Sequence, residues 1–384
     1  MKRILLLIDR RGNREQLAKW LGTTSYRIWN PGHVEQLPDE TFGMALVDRS
    51  ALNRLGDALR KRQRAAAPIQ VPVVLIDVRA QVPVSQESLG RQVEKLIASR
   101  NRSLRQFLGL SDGADIDELD EEAVERKLVV NRRLKQAVEG DALELHYQPI
   151  VTLGRRRMVG AEALCRWEDP QLGRVSPGVF IPVAERSDLI VDLGRWTLRQ
   201  ACDQVAAWDR HEGPDVPYVS VNIAASHFNG GTLLDDAFEA VSEAGLEPGR
   251  LKIELTERAL AGSEVVESLA DLSRAGFRVM IDDFGTGYSC LAKLFELEMD
   301  SLKLDRSFLQ GLGSNPRCEQ VTDMVIDLAR KLQLNLIMEG VETEDQVKQL
   351  RKMVTGFSSF AQGYLFGRPV AGSQLTAPGP ASAA

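Results

Sequence analysis

The chain has 384 residues and a net charge of -6, from 48 Lys and Arg against 54 Asp and Glu. This length suffices for two or three domains and at least one large core, and the acidic balance argues against duplex nucleic acid or an anionic membrane surface as the main partner. The longest apolar runs, such as residues 4–8, are far shorter than the roughly 18 residues of a spanning helix, and Asp9 and Arg10 end that run too early for a signal-peptide core. We therefore expect a cytoplasmic protein with no membrane insertion.

Residues 1–100 alternate short apolar runs with polar helical stretches. Strands are predicted at 4–9, 44–48 and 71–77, and helices at 13–21 and 51–64. This alternation predicts a small, doubly wound parallel α/β domain. Apolar residues at helical spacing over 85–108, followed by the acidic stretch 111–122, predict that residues 101–138 form a helical linker.

From residue 143 onwards the chain carries a longer series of apolar strands separated by amphipathic helices. The predicted strands are residues 143–151, 158–164, 218–223, 251–255, 278–281, 301–304, 335–338 and 360–366. Eight strands with intervening helices within residues 139–370 match the size of one TIM-like (β/α)8 barrel. Residues 371–384 are rich in Ala, Pro, Ser and Gly, a composition that predicts a disordered tail.

Polar side chains stand at or near the end of almost every strand of this series. They are Glu162, Asn222, Glu254, Asp282, Asp283, Lys303, Glu339 and Gln362, the last inside its predicted strand. In a barrel these ends converge on one rim, where the catalytic residues of the fold lie. Each of them alone is equally consistent with an ion pair or a helix cap. Together they favour a binding site, because acids flanked by Val, Ile and Leu are costly near a core unless paired or bound to metal.

The composition of this rim indicates which metal it suits. The four cysteines are far apart with no CxxC spacing, and no two of the four histidines have helical ligand spacing. Carboxylates and an amide form a hard-oxygen site for Mg²⁺ or Mn²⁺ rather than zinc. The adjacent Asp282 and Asp283 allow one carboxylate to bridge two metals about 4 Å apart. Lys303 either holds or deprotonates an attacking water, or forms an ion pair with Asp282 or Asp305.

Eight ordered motifs within residues 139–370 resemble one known family. They are Tyr147-Gln148-Pro149-Ile150, Glu162-Ala163-Leu164-Cys165-Arg166-Trp167, Val221-Asn222-Ile223, Glu254-Leu255-Thr256-Glu257, the run from Asp282-Asp283-Phe284-Gly285 to Ser289, Leu302-Lys303-Leu304-Asp305, Glu339-Gly340-Val341-Glu342 and Gln362-Gly363-Tyr364. In these motifs the chain resembles the EAL family of cyclic di-GMP phosphodiesterases. The resemblance implies a TIM-like barrel that hydrolyses cyclic di-GMP to linear pGpG with two Mg²⁺ or Mn²⁺ ions.

The same resemblance implies roles for individual residues. It assigns Glu162, Asn222, Glu254 and Asp282 to the first metal, and Asp282, Asp283 and Glu339 to the second. It implies that Lys303 serves the water nucleophile, and that Glu257 anchors the loop at residues 282–289, which couples the site to dimerisation. It implies that the nucleotide is lined, or the metal shell supported, by Gln148, Leu164, Arg166, Asp305, Glu342 and Gln362. We therefore expect a homodimer whose catalytic residues include Lys303, Glu162, Glu339 and Glu257.

The departures from the family pattern remove no ligand. Met338 stands where Ala is usual, Ala224 where Ser is common and Cys290 where a second Ser is common. Because relatives that have lost acids serve only as receptors or interaction modules, the complete set favours an enzyme. The alternative is a receptor that binds cyclic di-GMP without turnover, or a module that contacts a protein.

Residues 1–100 resemble, more weakly, a response-regulator receiver domain. Asp48 ends the predicted strand at 44–48, which resembles the third strand of a receiver, where the phosphoacceptor would lie. A working receiver also needs an acidic pair after its first strand, but Asp9 is followed by two arginines. Asp77 replaces the usual Ser or Thr, and residues 80–87 contain no lysine. We therefore expect a degenerate regulatory domain with an unphosphorylated Asp48, which acts through dimerisation, a protein partner or signal relay.

Overall fold

The computed structural model describes most of the second half of the chain and parts of the first. The described residues are 3–8, 15, 17–18, 27–29, 44–48, 51–55, 57–59, 73–76, 95–96, 98–99, 102–109, 121–140, 142–210, 216–285, 297–313, 315–356 and 359–376. The chain divides into two compact units. One consists of Met1–Gln136 with Pro182–Ser187, and the other of Ala137–Ile181 with Asp188–Ala384.

The first unit contains a four-stranded parallel sheet. Its strands are β1 (Arg3–Leu7), β2 (Arg27–Trp29), β3 (Met44–Asp48) and β4 (Val73–Ile76), in the order β2-β1-β3-β4. The apolar side chains of β1 and β3 pack with Ala51, Leu55 and Leu59, which recur at helical spacing. The short β2 was not predicted, because Arg27-Ile28-Trp29 has only one strand-forming aliphatic residue.

The receiver-like identity of this sheet stays a prediction. Asp48 is the last residue of β3, as expected. The other residues on which that prediction depends, Asp9, Asp77 and the segment 80–87, lie outside the described residues.

The second unit is a closed barrel, which confirms the predicted fold. Its strands are β5 (Leu143–Thr152), β6 (Met158–Asp169), β8 (Val219–Asn222), β9 (Leu251–Thr256), β10 (Arg278–Phe284), β11 (Ser301–Leu304), β12 (Asn335–Met338) and β13 (Ser359–Ala361). Two short strands, β7 (Gly173–Val175) and β14 (Val370–Ala371), flank it. Helix α1 (Glu121–Val138) belongs almost entirely to the first unit, and α2 (Pro177–Glu185) is divided between the two units. The helices of the second unit are α3 (Leu189–Arg210), α4 (Ala225–Asn229), α5 (Leu233–Ala244), α6 (Ser263–Arg274), α7 (Pro316–Lys331) and α8 (Glu344–Met353).

The barrel closes through one strand of opposite direction. β5 pairs antiparallel with both β6 and β13, whereas β6 and β8 to β13 pair in parallel around the rest of the ring. Because β5 is antiparallel, a short turn connects it to β6 instead of a crossover helix. The alternation of apolar residues predicted this strand but not its direction.

Two predicted boundaries are corrected. The last barrel strand was expected at residues 360–366 but ends at Ala361, because Gly363 and its neighbours form a turn. Gln362 therefore follows the strand instead of lying inside it. The tail was expected from residue 371, yet Ala371 pairs with His146 in β5, and Trp208 Nε1 donates a hydrogen bond to the Gly372 carbonyl at 2.9 Å. Residues 377–384 lie outside the described residues.

Apolar side chains cover the outside of the strands and the lower part of the barrel interior. Alternate residues such as Leu145, Val221 and Ile253 belong to one large core shared with the helices. Ile150 and Met280 belong to a smaller cluster. They lie two residues from Gln148 and Asp282 respectively, so each shares the strand face of that polar residue. Within the described residues, no helix is both long and apolar enough to cross a membrane.

Candidate active site

Five carboxylates gather where the parallel strands end, and we call them the acidic rim. They are Glu162 on β6, Glu254 on β9, Asp282 and Asp283 on β10, and Glu339 directly after β12. The parallel register aligns them, since Asn222 on β8 pairs with Glu254 and Met280 pairs with the same residue from the other side. β6 continues seven residues beyond Glu162 to Asp169, so the β5-β6 hairpin rises above the rim.

The two adjacent aspartates reach the same site because β10 is irregular there. In a regular strand, consecutive side chains point to opposite faces. Asp283 instead has a φ of 54°, and the pairing of β10 with β11 shifts register between Ile281 and Phe284. The Asp283 amide donates to its neighbour, Asp282 Oδ1, at 2.9 Å. This bulge turns both carboxylates towards the rim, at the cost of a left-handed backbone that Asp tolerates better than most residues.

Glu339 is positioned by its backbone. Its amide donates to the Leu304 carbonyl at 3.1 Å, which ties the end of β12 to the end of β11. The next residue, Gly340, has a φ of 68°, and a Cβ there would lie 2.4 Å from the Cβ of Arg306. Only glycine fits this turn without displacing the segment that carries Glu339.

Lys303 lies at the centre of the acidic rim and is completely buried. Its Nζ lies 2.7 Å from Glu254 Oε2, 2.7 Å from Glu339 Oε1, 3.2 Å from Asp282 Oδ1 and 3.5 Å from Glu162 Oε2. One ammonium therefore compensates four carboxylates. The ion pair with Asp282, which the sequence left open, is present as one of these four.

The charged groups of the acidic rim and Lys303 shift one another's pKa values. Burial raises the pKa of Glu254 and of Glu339, each to about 8, against the lowering effect of Lys303. Burial alone would lower the pKa of Lys303, but the four neighbouring carboxylates outweigh it and hold that pKa well above its ordinary value. Burial and the charge of Asp282 raise the pKa of Asp283 as well. The carboxylates thus carry more negative charge than one lysine can stabilise.

Two amides donate hydrogen bonds to Glu162, and a third amide, Gln148, bonds to one of them. Asn222 Nδ2 donates to Glu162 Oε1 at 2.8 Å, and Gln362 Nε2 donates to Glu162 Oε2 at 2.6 Å. The same Gln362 nitrogen lies 3.1 Å from Gln148 Oε1, while Gln148 Nε2 donates to the Gly367 carbonyl at 3.1 Å. These bonds fix the Glu162 side chain and leave its oxygens facing the rim.

The donor set fits divalent cations. Two groups of three carboxylates each have ligand oxygens within 4.8 Å of one another, Glu162 with Glu254 and Asp282, and Asp282 with Asp283 and Glu339. The buried Glu254 Oε1 has no hydrogen-bond partner, which is costly for a carboxylate oxygen unless a cation lies beside it. Oxygen ligands of this kind suit Mg²⁺ or Mn²⁺, and Asp282 belongs to both groups.

The other predicted site residues lie around this centre. Glu257 is buried and its Oε2 accepts from the Gly285 amide at 3.0 Å, at the start of the loop it was expected to anchor; residues 286–296 lie outside the described residues. Asp305 caps a short helical turn by accepting from the Ser307 amide, and Glu342 is exposed.

Two further predicted residues lie on β6 above Glu162. Leu164 and Arg166 are half-buried and share its strand face. Burial lowers the pKa of Arg166, and the charge of Arg174 on β7 adds to this effect. Arg174 was not predicted as a site residue. The antiparallel pairing of β7 with β6 relates Arg174 to the strand that carries Arg166. The sequence alone does not reveal this pairing.

The EAL domain family matches residues 131–369, more than half of the chain. The chain therefore belongs to the EAL domain family. It is 41% identical over 249 residues to the bifunctional diguanylate cyclase/cyclic di-GMP phosphodiesterase MucR of Pseudomonas aeruginosa, covering 64% of this chain and 35% of that protein. It is 35% identical over 316 residues to the cyclic di-GMP phosphodiesterase NbdA of the same species, covering 81% of this chain and 40% of that protein.

The barrel is also similar to solved structures. A structure of the MucR phosphodiesterase in complex with cyclic di-GMP matches with a TM-score of 0.59 and 38% identity, covering 65% of this chain and all of that one. The chain thus spans all of that solved chain but only 35% and 40% of the length of the two curated relatives.

Proposed function

We propose that this chain hydrolyses cyclic di-GMP to linear pGpG. The observation that carries the proposal is the pair of three-carboxylate groups that share Asp282 and surround Lys303. The similarity to two relatives that are named cyclic di-GMP phosphodiesterases supports this substrate.

Two divalent cations, Mg²⁺ or Mn²⁺, are proposed to occupy the two groups. Glu162, Asn222, Glu254 and Asp282 would hold the first, and Asp282, Asp283 and Glu339 the second. When bound, the pair supplies positive charge that lowers the pKa of an attacking water and stabilises charge on the phosphate oxygens. Without them the acidic rim would repel a phosphodiester.

The chain's own residues position the reactants. Lys303 is held as an ammonium by four carboxylates, so it donates a hydrogen bond to the attacking water and stabilises the hydroxide as it forms. Gln362 holds Glu162 in place, and Gln148 accepts a hydrogen bond from the same Gln362 nitrogen. Leu164 and Arg166 on the hairpin above the rim would contact the nucleotide, while Asp305 and Glu342 would support the site from its border.

The test is metal-dependent turnover. The full chain is incubated with cyclic di-GMP and Mn²⁺ or Mg²⁺, and pGpG is followed by chromatography, with EDTA as the metal-free control. We expect turnover that EDTA abolishes and that Glu162→Gln lowers at least about a hundredfold, a loss typical of removing one charged group from a preorganised site. Binding without turnover would instead identify a cyclic di-GMP receptor, and lack of binding would leave a protein-interaction module.

We propose that residues 1–100 form the regulatory domain, residues 101–138 the linker and residues 139–370 the phosphodiesterase domain, and that the chain acts as a homodimer. We also propose that dimerisation is coupled to the active site through Glu257, because this residue holds Gly285 beside the acidic rim. Sedimentation of the full chain with and without cyclic di-GMP tests the dimer. Turnover that is independent of protein concentration across a monomer-dimer transition would argue against coupling between the dimer and the site.

A further inference from the structure

The short helix α4 (Ala225–Asn229) is the first element after Asn222, the amide at the end of β8 that donates to Glu162. A helix of one turn is not stable by itself, so tertiary contacts must hold α4 in place. Two of its side chains, His227 and Phe228, are buried. Phe228 makes apolar contacts in the large core, and such contacts have no preferred direction. A contact that fixes the orientation of α4 must therefore come from His227.

His227 forms a directional bond to helix α5. Its side chain is completely buried, and its Nε2 lies 2.8 Å from Asp236 Oδ2. Burial raises the pKa of Asp236, but hydrogen bonds from Arg195, His227 and Thr232 outweigh it and lower that pKa below its ordinary value. Asp236 is thus an ionised acceptor, and the imidazole N–H donates to it. Hydrogen bonds to a charged acceptor are among the stronger ones in proteins.

Helix α3 leaves room for this imidazole ring. Gly194 lies in the interior of α3, where glycine is less favourable than alanine. A Cβ on Gly194 would lie 2.7 Å from His227 Nδ1. The absent side chain therefore lets the ring fit between α3 and α5, and no larger residue at this position would allow it.

The bond from His227 is not needed to hold α3 against α5. Arg195 Nε on α3 donates to Asp236 Oδ1 at 2.8 Å, and Arg199 Nη2 lies 2.8 Å from Glu239 Oε1. These two ion pairs join the two long helices directly. The bond from His227 adds the short α4 to them, so its effect is to place α4.

A short extended segment connects α4 to the acidic rim. Only Ile223 and Ala224 separate Asn222 from α4. The Ile223 amide donates to the Glu254 carbonyl at 2.8 Å, and Ala224 has the extended dihedrals φ -73° and ψ 149°. Because this segment has little slack, the position of α4 influences the direction of the Asn222 side chain.

From this geometry we infer that His227 is a positioning residue, which anchors α4 on Asp236 and thereby directs Asn222 towards the first metal-binding group. The inference rests on the proposed function and concerns the metal affinity of that same site. His227 lies outside the group of proposed ligands and acts through the backbone that follows β8.

Calorimetric titration of the full chain with Mn²⁺, without substrate, tests the inference. His227→Leu removes the donor and should lower the apparent Mn²⁺ affinity about tenfold, the lower end of the effect of a group that orients a metal ligand. His227→Gln keeps an N–H donor at a similar reach and should restore the affinity. Turnover of cyclic di-GMP by His227→Leu should recover as Mn²⁺ is raised, because the substitution weakens metal binding and not the chemical step.

Arg195→Met is the matched control. It removes the partner of Asp236 on α3 and leaves the bond from His227 in place. If His227 had only a structural role, both variants would lose Mn²⁺ affinity in proportion to their loss of stability, which urea unfolding in EDTA measures. We expect Arg195→Met to be destabilised, because it leaves a buried acid without its ion pair, and yet to bind Mn²⁺ as tightly as the unsubstituted chain. His227→Asn, whose amide is too short to reach Asp236, replaces His227→Leu if that variant does not fold.

A second measurement needs no metal. In EDTA, the amides of residues 223–229 should exchange with solvent hydrogen faster in His227→Leu than in Arg195→Met, because only the first variant loses the anchor of α4. Equal exchange rates in the two variants would contradict the anchoring role.

Three outcomes of the titration would overturn the inference. They are an unchanged Mn²⁺ affinity in His227→Leu, an equal loss in Arg195→Met, and a loss that His227→Gln does not restore. If the unsubstituted chain binds Mn²⁺ but does not hydrolyse cyclic di-GMP, the proposed function fails, yet the Mn²⁺ affinities still decide the role of His227. Absence of Mn²⁺ binding by the unsubstituted chain overturns both.

Discussion

Lys303 is the residue on which the metal-free site depends most. It is completely buried and lies within 3.5 Å of four carboxylates. A buried acid that loses its only cation is strongly destabilised, whereas divalent cations in the same cluster would replace that charge. The lysine is therefore both a proposed catalytic group and a structural counter-ion.

We predict that Lys303→Met destabilises the chain by about 3–5 kcal/mol in EDTA, because it leaves the acids uncompensated. In Mn²⁺ the loss should be much smaller. Urea unfolding in the two buffers measures both. An equal loss with and without Mn²⁺ would show that the metal does not compensate the acids.

The raised pKa values of Glu254 and Glu339 predict a dependence on pH. Each has an ordinary value of 4.5 and is raised to about 8 in the folded chain, so the folded state binds protons more tightly than the unfolded one. This contribution to stability is complete below pH 4.5 and is lost as pH rises to about 8.

We therefore predict that the rim lowers the thermal stability of the EDTA-treated chain progressively between pH 5 and pH 8. Because the cations need deprotonated ligands, the stabilisation by Mn²⁺ should grow over the same range. Thermal unfolding at matched ionic strength, with and without Mn²⁺, measures both trends. A Mn²⁺ effect that shrinks as pH rises would contradict the assignment of Glu254 and Glu339 as ligands.

At the scale of elements, the turn after β12 determines where Glu339 lies. Gly340 and Gly356 have nearly the same φ, 68° and 71°, but only Gly340 has a neighbouring atom within reach of a Cβ. Alanine at either position carries the same backbone strain, so the two substitutions differ only in the contact with Arg306.

We predict that Gly356→Ala costs about 1–2 kcal/mol of stability and leaves the Mn²⁺ affinity unchanged. Gly340→Ala should cost more, weaken Mn²⁺ binding and lower turnover, because Glu339 is displaced. Calorimetric titration with Mn²⁺ compares the two variants. Equal Mn²⁺ affinities would show that the turn does not position Glu339.

The sequence predicted the eight barrel strands because each is a short apolar run flanked by helical patterns. It did not predict what depends on pairing. The antiparallel direction of β5, the bulge at Asp283 and the pairing of the strand of Arg174 with that of Arg166 all arise from the register between paired strands. The periodicity of apolar residues indicates which face of a strand a residue occupies, but not which strand pairs with it or in what register.

At the scale of the whole molecule, the barrel has one thin seam. Among the residues that the structure describes, β13 and β5 share only the pairs Phe360 with Thr152 and Ala361 with Val151, whereas β9 and β10 share five consecutive pairs. A hydrogen bond between the side chains of Gln362 and Gln148 adds a further link between the two sides of this seam.

We predict that amides of residues 359–361 exchange with solvent hydrogen faster than those of Leu251–Thr256, because few ladder bonds must open there. Hydrogen exchange followed by mass spectrometry compares the two strands. Mn²⁺ should slow hydrogen exchange in both strands, since its proposed ligands lie on both sides of the barrel. Faster exchange in Leu251–Thr256 than in β13 would contradict the seam.

The antiparallel strand also decides where the polypeptide enters the barrel. Because β5 runs opposite to its neighbours, Leu143 lies level with Trp167, beyond Glu162 on the mouth side, and not at the closed floor. The first residues of β5 and the carboxylates of the acidic rim therefore lie towards the same end of the barrel.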